Sequence, residues 1–204
     1  MTLNNAPSPQ TPRLAALILA AGESARFGGR KQLADIGGKP MICHCMDVLD
    51  TISGLDLFVV LGAFADEIIP VLGPSRRVIT NKDWASGMGS SIVSGIAEIN
   101  NRGGYDGVLI TLCDPVQLCA TDYRKLIATF DGHAITATRH KNGFGVPAIF
   151  PSHLFDVLAN LSGRTGARTI LNGSGYDVIG MDMPNAGCDI DTRDDLVAFH
   201  RQKA

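Results

Sequence analysis

The segment Leu17-Ile-Leu-Ala-Ala-Gly-Glu-Ser-Ala-Arg-Phe-Gly-Gly-Arg-Lys31 joins an apolar run to a glycine-rich turn that ends in cationic side chains. An apolar run that enters such a turn is typical of a buried strand in an α/β sheet. Glycine backbone permits close approach and left-handed turns, and exposed N–H groups point at phosphate oxygens. Because Arg26 and Lys31 add positive charge, the segment predicts a phosphate-binding turn after the first strand.

Two common phosphate loops do not fit this segment. A Walker loop has four residues between its glycines and then Lys-Ser/Thr, whereas five residues separate Gly22 from Gly28 and no hydroxyl residue follows Lys31. The dinucleotide fingerprint G-x-G-x-x-G fails as well, because no second glycine stands two positions after Gly22. The missing fingerprint argues against a nicotinamide-dependent dehydrogenase.

Length and composition favour a single α/β domain with small-molecule partners. A chain of 204 residues is long enough to bury roughly 70% of the surface that its unfolded form exposes. The net charge of −2 and the hydrophobic fraction of 45% exclude a basic nucleic-acid footprint and a disordered composition. We expect neither nucleic acid nor a membrane as a partner. Residues 1–12 are polar and contain three prolines, which predicts a disordered N-terminal tail before one domain over residues 13–204.

The cysteines indicate a reducing compartment. Their number is five, and they show no paired zinc-type spacing. An odd number argues against a complete disulfide framework. We therefore expect a cytoplasmic protein.

Strand-like and helix-like segments alternate along the chain. Apolar, β-rich runs occur at Leu14–Ala20, Leu55–Leu61, Arg76–Ile79, Gly107–Leu112 and Ala134–Thr138. Segments with helical spacing or composition lie near Pro40–Leu49, Ala65–Leu72, Met88–Ile99, Asp122–Phe130, Pro151–Leu158 and Thr192–Arg201. This alternation predicts an α/β fold with a mainly parallel central sheet and helices on both faces, in three α/β/α layers.

Three local features refine this outline. The polar, glycine-containing stretch between Arg139 and Pro147 predicts a loop or hairpin over the sheet face. Pro151 suits the first position of a helix. Thr192-Arg-Asp-Asp195 resembles a capping box in which aspartate replaces the usual glutamate, so it predicts the start of the last helix.

The ends of three predicted strands carry the polar side chains of interest. In open α/β sheets, ligands collect outside the carboxyl ends of the strands. The first strand ends at Gly22, the third at Asn81 and the fourth at Asp114. We therefore expect these three turns to face one crevice.

Carboxylates near that crevice are candidate metal ligands. Asp114 follows a buried strand, and magnesium takes one or two carboxylates together with phosphate oxygens. Asp189 and Asp191 flank one apolar residue, so in a strand they share a face and are able to complete a metal site. Two alternatives stay open, namely Asp114 as a turn residue before Pro115, and Asp191 as a cap of the last helix.

Six motifs, in order from Leu14 to about Leu196, resemble those of the MobA-like nucleotidyltransferase family. Residues 19–31 match L-A-[AG]-G-x-S-x-R-[MF]-G-x-x-K, and residues 81–91 match N-x-x-W-x-x-G-M-x-x-S. The segments at 113–116, 145–151, 163–168 and 188–192 resemble C-D-x-P, G-x-P-[AV]-[LI]-F-P, G-D-x-G-A-R and D-x-D-T. The chain departs from this pattern in Cys113-Asp-Pro-Val116, where the proline stands one place earlier, and at Arg164, where an acidic residue is frequent.

The resemblance implies a Rossmann-like nucleotidyltransferase fold and a set of site residues. The implied catalytic residues are Lys31, Arg26 and Asp114. The implied nucleotide-binding residues are Leu19, Ala20, Ala21, Gly22, Arg26, Lys31, Asn81, Gly87 and Ser90. Asp114 and Asp191 are the implied ligands of Mg²⁺, and Pro147 and Arg168 are implied contacts of the acceptor substrate. Trp84 either stacks on the base or plugs its loop against the domain.

The Leu-Ala-Ala-Gly form of the first motif is similar to that of molybdenum cofactor cytidylyltransferases, whereas guanylyl members more often read Leu-Ala-Gly-Gly. The resemblance therefore implies transfer of CMP from CTP to the phosphate of molybdopterin, with release of pyrophosphate and a molybdoenzyme or maturation factor as a further partner. Two alternatives stay open. One is another NTP, such as GTP, or a sugar or polyol phosphate as acceptor. The other is a nucleotide- or cofactor-binding protein that has lost turnover, which the changed turn after Asp114 and Arg164 favour.

Overall fold

The computed structural model describes residues 11–203 of the chain. Of the predicted N-terminal tail, only Thr11 and Pro12 fall within this range, and the rest lies outside the described residues. A seven-stranded sheet runs through the described part in the order β3-β2-β1-β4-β6-β5-β7. Its strands are β1 (Leu14–Ala20), β2 (Leu55–Leu61), β3 (Arg77–Thr80), β4 (Gly107–Leu112), β5 (Ile135–His140), β6 (Gly143–Pro151) and β7 (Val178–Asp182).

The sheet is mainly parallel. Strands β1, β2, β3 and β4 pair in parallel, as do β5 and β7, while β6 runs antiparallel to both β4 and β5. The carboxyl ends of the first four strands therefore meet at one edge of the sheet. This arrangement confirms the predicted fold class and brings the ends of the first, third and fourth strands to the same edge.

Strand β1 lies inside the sheet, between β2 and β4, and all seven of its residues are apolar and buried. Its side chains alternate between two cores. Leu14, Ala16 and Ile18 pack in the core on one face, and Leu17 and Leu19 pack in the core on the other. A continuous apolar run is what a strand covered on both faces requires.

Seven helices cover the sheet in the described part of the chain. They are α1 (Met41–Asp50), α2 (Ala65–Leu72), α3 (Met88–Arg102), α4 (Ala120–Thr129), α5 (Phe155–Ala159), α6 (Ala167–Leu171) and α7 (Arg193–Lys203). Buried side chains of α1, α2, α4 and α7 join one core, and those of α3, α5 and α6 join the other. Helices on both faces confirm the three-layer prediction. Within residues 11–203, no helix is both long and apolar enough to cross a membrane.

The predicted element bounds hold best for the apolar strands. Strands β1, β2 and β4 and helix α2 have the predicted ends. The capping box is also confirmed: the Thr192 amide donates to Asp195 Oδ2 at 2.7 Å, and the Asp195 amide donates to Thr192 Oγ1 at 3.2 Å.

Two predictions around β6 need correction. The stretch between Arg139 and Pro147 forms the predicted hairpin, but this hairpin, made by β5 and β6, lies within the sheet and not over its face. A bulge lets proline enter this strand: Ala137 pairs with Ala148, Thr138 pairs with Gly145, and the two residues between are left out of the register. Pro151 ends β6 instead of beginning a helix. The edge strand β7 and the short helix α6 were not predicted, because neither has a long apolar pattern.

Candidate active site

The phosphate loop, defined as residues 22–31, leaves β1 and reverses direction through left-handed backbone. Ser24, Gly28, Gly29 and Arg30 have φ angles between 55° and 88°. Glycine adopts this region without a steric penalty, so the glycine pair makes the reversal possible. The loop therefore folds back over the carboxyl end of β1.

The first residues of the phosphate loop present backbone donors. Among the described residues, the amides of Gly22, Glu23 and Ser24 donate no hydrogen bond. Gly22 and Glu23 are also exposed. Unpaired N–H groups on successive residues carry partial positive charge toward one side. This part of the loop has the donors that a phosphate group needs.

Side chains on both flanks hold the phosphate loop in place. Arg30 Nη2 donates to Glu67 Oε1 at 2.9 Å, and the Arg30 guanidinium lies 4.8 Å from the centre of the Phe64 ring. Phe27 is 4% exposed, and the Arg193 guanidinium lies 5.1 Å from the centre of its ring. The loop is thus anchored to α2 on one side and to α7 on the other.

Gln32 fixes the entry to the phosphate loop and was not identified from the sequence. Its side chain is 3% exposed, and Nε2 donates to the carbonyls of Ala20 and Gly22, at 2.9 Å in both cases. The amide therefore holds the backbone on either side of the turn. Its Oε1 atom is buried without a hydrogen-bond partner in the described part of the chain. A single glutamine after a lysine carries no sequence signal for this role.

Lys31 lies at the centre of an ion-pair cluster. Its Nζ atom is 2.7 Å from Asp114 Oδ2 and 3.0 Å from Asp191 Oδ1. Arg26 Nη2 lies 3.0 Å from the other oxygen of Asp191, Oδ2. The Lys31 and Asp114 side chains are 13% and 14% exposed, whereas that of Arg26 is 75% exposed. The Lys31–Asp114 pair is therefore largely buried, and Arg26 lies at the solvent-exposed edge of the cluster.

The carboxylates keep Lys31 charged. Burial by itself lowers the pKa of a lysine, but the charges and hydrogen bonds of Asp114 and Asp191 outweigh it, so the pKa of Lys31 is raised above its ordinary value. At neutral pH this side chain is therefore an ammonium group.

Backbone contacts join the two acidic segments, which lie far apart in the sequence. The Ile190 amide donates to the Asp114 carbonyl at 3.2 Å, and Pro115 forms an antiparallel bridge with Asp189. Thr192 and Asp195, not Asp191, supply the side chains that cap α7. The Asp191 carboxylate instead contacts Lys31 and Arg26.

The chemistry of this cluster fits a divalent cation. Asp114 Oδ1 is buried without a hydrogen-bond partner among the described residues, and a buried acceptor without a partner is costly unless a cation or a donor meets it. That Asp114 and Asp191 hold a metal stays a prediction. Within residues 11–203, however, no group of three His, Cys, Asp or Glu side chains is able to hold a metal ion. A bound cation would need further ligands, such as phosphate oxygens.

Asp189 stands beside this cluster. Loss of hydration in the cleft, and then the charges of Asp114 and Asp191, raise the pKa of Asp189 to about 6. The residue still has an exposed surface, so solvent screens part of this effect. We call Arg26, Lys31, Asp114, Asp189 and Asp191 the carboxyl-end cluster. It contains two cations and three carboxylates.

A cavity of about 310 Å³ lies beside the start of the phosphate loop. Leu19, Ala21, Gly22 and Gly87 line it, as expected for four of the implied nucleotide-binding residues. Trp84 and Ser91 also line it. The Ala20 side chain packs on the opposite face of the sheet, so Ala20 reaches this region only through its backbone.

Asn81 and Ser90 organise the loop that covers this cavity. Asn81 is 3% exposed, and its Nδ2 atom donates to Ser90 Oγ at 2.9 Å and to Ser91 Oγ at 3.0 Å. Its Oδ1 atom accepts from the Asp83 amide at 2.9 Å. Ser90 Oγ in turn contacts the Gly87 carbonyl at 2.8 Å. Both side chains thus hold loop backbone, and their contact with a base stays a prediction.

A larger cavity of about 600 Å³ lies on the other side of β4. Lys141 and Arg168 give its wall positive charge, His140 adds an imidazole ring, and Phe144 and Val146 give it apolar surface. Pro147 is buried and does not line this cavity, whereas its neighbours Gly145 and Val146 do.

Met88 and Leu112 line both cavities and so form the wall between them. Neither residue was identified as a site residue from the sequence. Met88 is 49% exposed, which is unusual for a large apolar side chain and leaves it open to contact from either side. The two cavities are therefore adjacent parts of one cleft.

The loop at 162–166 is interlocked with the start of α3. The Gly89 amide donates to the Gly163 carbonyl at 3.1 Å. A Cβ atom on Gly87 would lie 2.1 Å from the Gly163 carbonyl oxygen, and one on Gly89 would lie 2.0 Å from that of Ser162. Glycine is required at both positions because backbone approaches backbone here. The contact ties the wall of the smaller cavity to that of the larger one.

Comparison with known proteins agrees with this geometry. The MobA-like NTP transferase domain matches residues 16–178. Nicotine blue oxidoreductase of Paenarthrobacter nicotinovorans is 26% identical over 193 residues, which cover 89% of this chain and 93% of that protein.

Two solved structures are similar over nearly their whole length. A homologue of Rv0371c from Mycobacterium sp. strain JC1 has a TM-score of 0.79 and 27% identity, covering 92% of this chain and 94% of that one. Rv0371c of Mycobacterium tuberculosis H37Rv, solved in complex with manganese, has a TM-score of 0.74 and 23% identity, covering 91% and 97%.

Proposed function

The chain belongs to the MobA-like NTP transferase domain family, and from this premise we propose that it transfers CMP from CTP to the phosphate of molybdopterin, releasing pyrophosphate. The observation that carries the proposal is the position of Lys31 Nζ, 2.7 Å from Asp114 and 3.0 Å from Asp191, at the end of a loop with unpaired amides. Cationic, amide and carboxylate groups meet there as a triphosphate and its metal require.

The reaction asks little of acid–base catalysis. The second pKa of a phosphate monoester is about 6, so the acceptor is largely a dianion at pH 7. One of its oxygens attacks the α-phosphorus of the nucleotide, a new P–O bond forms, and the bond from the α-phosphorus to the bridging oxygen breaks. Pyrophosphate leaves with that electron pair. The protein's task is to align two anions and to neutralise their charge.

Residues of the carboxyl-end cluster divide this task. Lys31 and Arg26 neutralise charge on the transferring phosphate and on the leaving pyrophosphate. The amides of Gly22, Glu23 and Ser24 add neutral donors. Asp114 and Asp191 hold Mg²⁺ or another divalent cation, which supplies Lewis-acid charge neutralisation when bound. Rv0371c of Mycobacterium tuberculosis, which has a similar fold, was solved in complex with manganese, and this supports a divalent metal in the proposed reaction.

Two features support the choice of substrates. The Leu-Ala-Ala-Gly form of the first motif favours CTP as donor. The larger cavity has His140, Lys141 and Arg168 for a phosphate and Phe144 for a ring, which suits a phosphorylated pterin. Arg168 therefore keeps its proposed acceptor role, and Gly145 and Val146 take the contact expected of Pro147.

We also propose that residues 13–204 act as one nucleotidyltransferase domain in the cytoplasm, where five unpaired cysteines stay reduced. A molybdoenzyme or a maturation factor that receives the product remains part of this proposal. We propose neither nucleic acid nor a membrane as a partner.

A second candidate is an oxidoreductase, because nicotine blue oxidoreductase is similar over 89% of this chain. The carboxyl-end cluster does not favour it, since hydride transfer has no need of paired carboxylates around a lysine. If the second candidate is correct, the protein will bleach nicotine blue when a reduced nicotinamide cofactor is supplied.

The direct test is pyrophosphate release by the purified protein with molybdopterin, Mg²⁺ and each of the four NTPs in turn. We expect release with CTP that depends on molybdopterin. Release with GTP, or with a sugar or polyol phosphate as acceptor, would replace the substrates but keep the reaction class. Nucleotide binding without release would favour a non-catalytic protein. A thermal-shift panel first identifies the bound NTP, because a ligand at 100 times its Kd adds about 2.7 kcal/mol of stability.

A further inference from the structure

Lys31 lies where two different ligands compete. Its ammonium group is within 3.0 Å of both Asp114 and Asp191, and these carboxylates are also the residues proposed to hold the divalent cation. The proposed function gives the same ammonium group a second task, which is to neutralise a triphosphate. The lysine cannot be fully engaged with the carboxylates and with the triphosphate at once.

Charge makes this competition strong. The Lys31 side chain is 13% exposed, so solvent screens it poorly from a cation bound to the same carboxylates. A lysine side chain carries a positive charge at neutral pH. A divalent cation that approaches Asp114 therefore meets a full positive charge.

The number of side-chain ligands available to the cation also favours joint binding of metal and nucleotide. No group of three His, Cys, Asp or Glu side chains in the described part of the chain is able to hold a metal. Magnesium-type cations complete such sites with water and phosphate oxygens. A triphosphate supplies those oxygens, and it also supplies an alternative partner for Lys31.

We propose that Lys31 acts as a built-in competitor of the divalent cation, so that the protein takes up metal and nucleotide as a unit. The triphosphate draws the Lys31 ammonium away from Asp114 and Asp191, and the cation takes its place between the two carboxylates. Lys31 is then both a phosphate ligand and the residue that suppresses metal binding without nucleotide. The inference rests on the proposed function, since it uses the same nucleotide and metal.

Linkage makes the proposal quantitative. If nucleotide raises the affinity for metal by a given factor, metal must raise the affinity for nucleotide by the same factor. Replacing Lys31 by methionine removes the charge and keeps most of the side-chain length. This variant should bind metal alone more tightly than the wild type while binding nucleotide more weakly. An ordinary loss of a site residue weakens both.

The experiment measures Mn²⁺ binding to the full chain through the electron paramagnetic resonance signal of free Mn²⁺. It compares wild type with Lys31→Met, with and without a CTP analogue that has a methylene group in place of the α–β bridging oxygen. We expect Lys31→Met to bind Mn²⁺ alone at least tenfold more tightly than wild type. The analogue should raise the Mn²⁺ affinity of wild type by a larger factor than that of the variant.

Arg26→Met is the matched control, since within the described residues Arg26 forms an ion pair with Asp191 but not with Asp114, and its side chain is 75% exposed. It should change the affinity for Mn²⁺ alone by less than threefold. Asp114→Asn should abolish Mn²⁺ binding in the Lys31→Met background, which shows that the metal is held at this site. If Lys31→Met does not fold by circular dichroism, Lys31→Gln serves in its place.

Equal or weaker binding of Mn²⁺ alone by Lys31→Met would overturn the inference, as would Mn²⁺ that binds neither protein with the analogue present. These outcomes are separate from the fate of the proposed function, which depends on pyrophosphate release by the wild type. If the wild type releases pyrophosphate but Lys31→Met gains no Mn²⁺ affinity, the proposed function stands and the inference about Lys31 is wrong.

Discussion

Strands β1, β2, β3 and β4 carry a charge network at each end, and the two networks are built differently. At the amino ends lie Arg13, Asp56, Arg77 and Tyr105, which we call the amino-end network. At the other ends lies the carboxyl-end cluster. Both networks join residues far apart in the sequence, so neither is a product of local helix pairing.

The amino-end network satisfies its single carboxylate completely. Asp56 accepts hydrogen bonds from Arg13 at 3.1 Å, from Arg77 at 2.8 Å and from the Tyr105 hydroxyl at 2.9 Å. Burial would raise the pKa of Asp56, but these three donors outweigh it and lower the pKa. Two cations serve one carboxylate. Such a network stabilises the fold, and its carboxylate is already paired with three donors.

The carboxyl-end cluster has the opposite balance. Three carboxylates share two cations, Asp114 keeps one buried oxygen without a partner, and the pKa of Asp189 is raised to about 6. Unsatisfied groups cost stability, so a fold retains them where they serve a ligand. The difference teaches that charge pairing alone does not identify a site. What identifies it is charge pairing that is left incomplete in a cleft.

The largest expected effect comes from Asp114→Asn. Turnover should fall by about 10³-fold, because loss of metal-based charge neutralisation removes several kcal/mol of transition-state stabilisation. The melting temperature should stay within a few degrees of the wild-type value, since Lys31 keeps Asp191 as a partner. Pyrophosphate release and thermal unfolding measure the two quantities. A much lower melting temperature together with unchanged turnover per folded molecule would contradict the contrast between the two ends of the strands.

The next effect tests geometry at the carboxyl end instead of charge. In Gly89→Ala, the new Cβ atom would lie 2.0 Å from the Ser162 carbonyl oxygen, so the loop at 162–166 must move. A displacement of about 1 Å near reacting groups costs on the order of 10²-fold in rate. Gly175→Ala is the control, because no atom lies within 4 Å of the added Cβ. Equal turnover in both variants would show that the interlock has no part in catalysis.

At the amino end, Asp56→Asn should affect stability and leave turnover unchanged. Loss of a charged acceptor for three donors should cost about 1–2 kcal/mol. For a chain of this length, that lowers the melting temperature by about 2–8 °C. Asp47→Asn is the control, because Asp47 pairs with the exposed Lys39 and an exposed ion pair adds little to stability, so the melting temperature should change by much less than in Asp56→Asn.

The pH dependence of this effect follows from the direction of the shift. The pKa of Asp56 is lowered in the folded state, so its stabilisation is fully present above the unfolded value of about 3.9. It is lost as the pH falls through the folded value. The stability difference between wild type and Asp56→Asn should therefore close in acid, and urea unfolding at several pH values measures it. A difference that does not change with pH would argue against this role of Asp56.

The smallest effect has the opposite sign. The pKa of Asp189 is about 6 in the folded state and about 3.9 unfolded, so between these values the folded state binds more protons and this group makes stability fall as the pH rises. Asp189→Asn removes that contribution. In metal-free buffer the variant should gain less than about 1 kcal/mol over wild type between pH 4 and pH 7, after screening of an exposed group. A difference in the free energy of unfolding between variant and wild type that stays the same from pH 4 to pH 7, measured with urea, would contradict the prediction.

The sequence predicted strands β1, β2 and β4 better than the antiparallel strand β6. β1, β2 and β4 are continuous apolar runs bounded by turns, and their ends came out correctly. β6 was missed because glycine and proline interrupt its pattern, and the bulge that accommodates them depends on β5, a partner strand that a local pattern does not reveal. β7 is a short edge strand with only partly buried side chains, so its hydrophobic signal is weak.

The site was predictable where strand ends supply its residues. The rule that ligands gather at carboxyl ends brought Asp114 to the phosphate loop, and the structure places Lys31 against it. Gln32 and Met88 were not identified, since the role of each depends on the folded backbone around it. Asn81 was assigned to a base from its hydrogen-bonding capacity, whereas the fold uses that capacity on Ser90, Ser91 and Asp83.

The antiparallel course of β6 has a consequence for how such a protein diversifies. A parallel strand reaches the cleft only after a crossover helix, so any change in its connection disturbs a whole layer of the fold. β6 follows β5 through a tight hairpin, whose turn residues border the larger cavity. A hairpin tolerates insertions and deletions at its tip without moving other elements. The half of the cleft at the ends of the parallel strands is therefore constrained by the architecture. The half beside the β5–β6 hairpin is free to differ in length and side chains among related proteins.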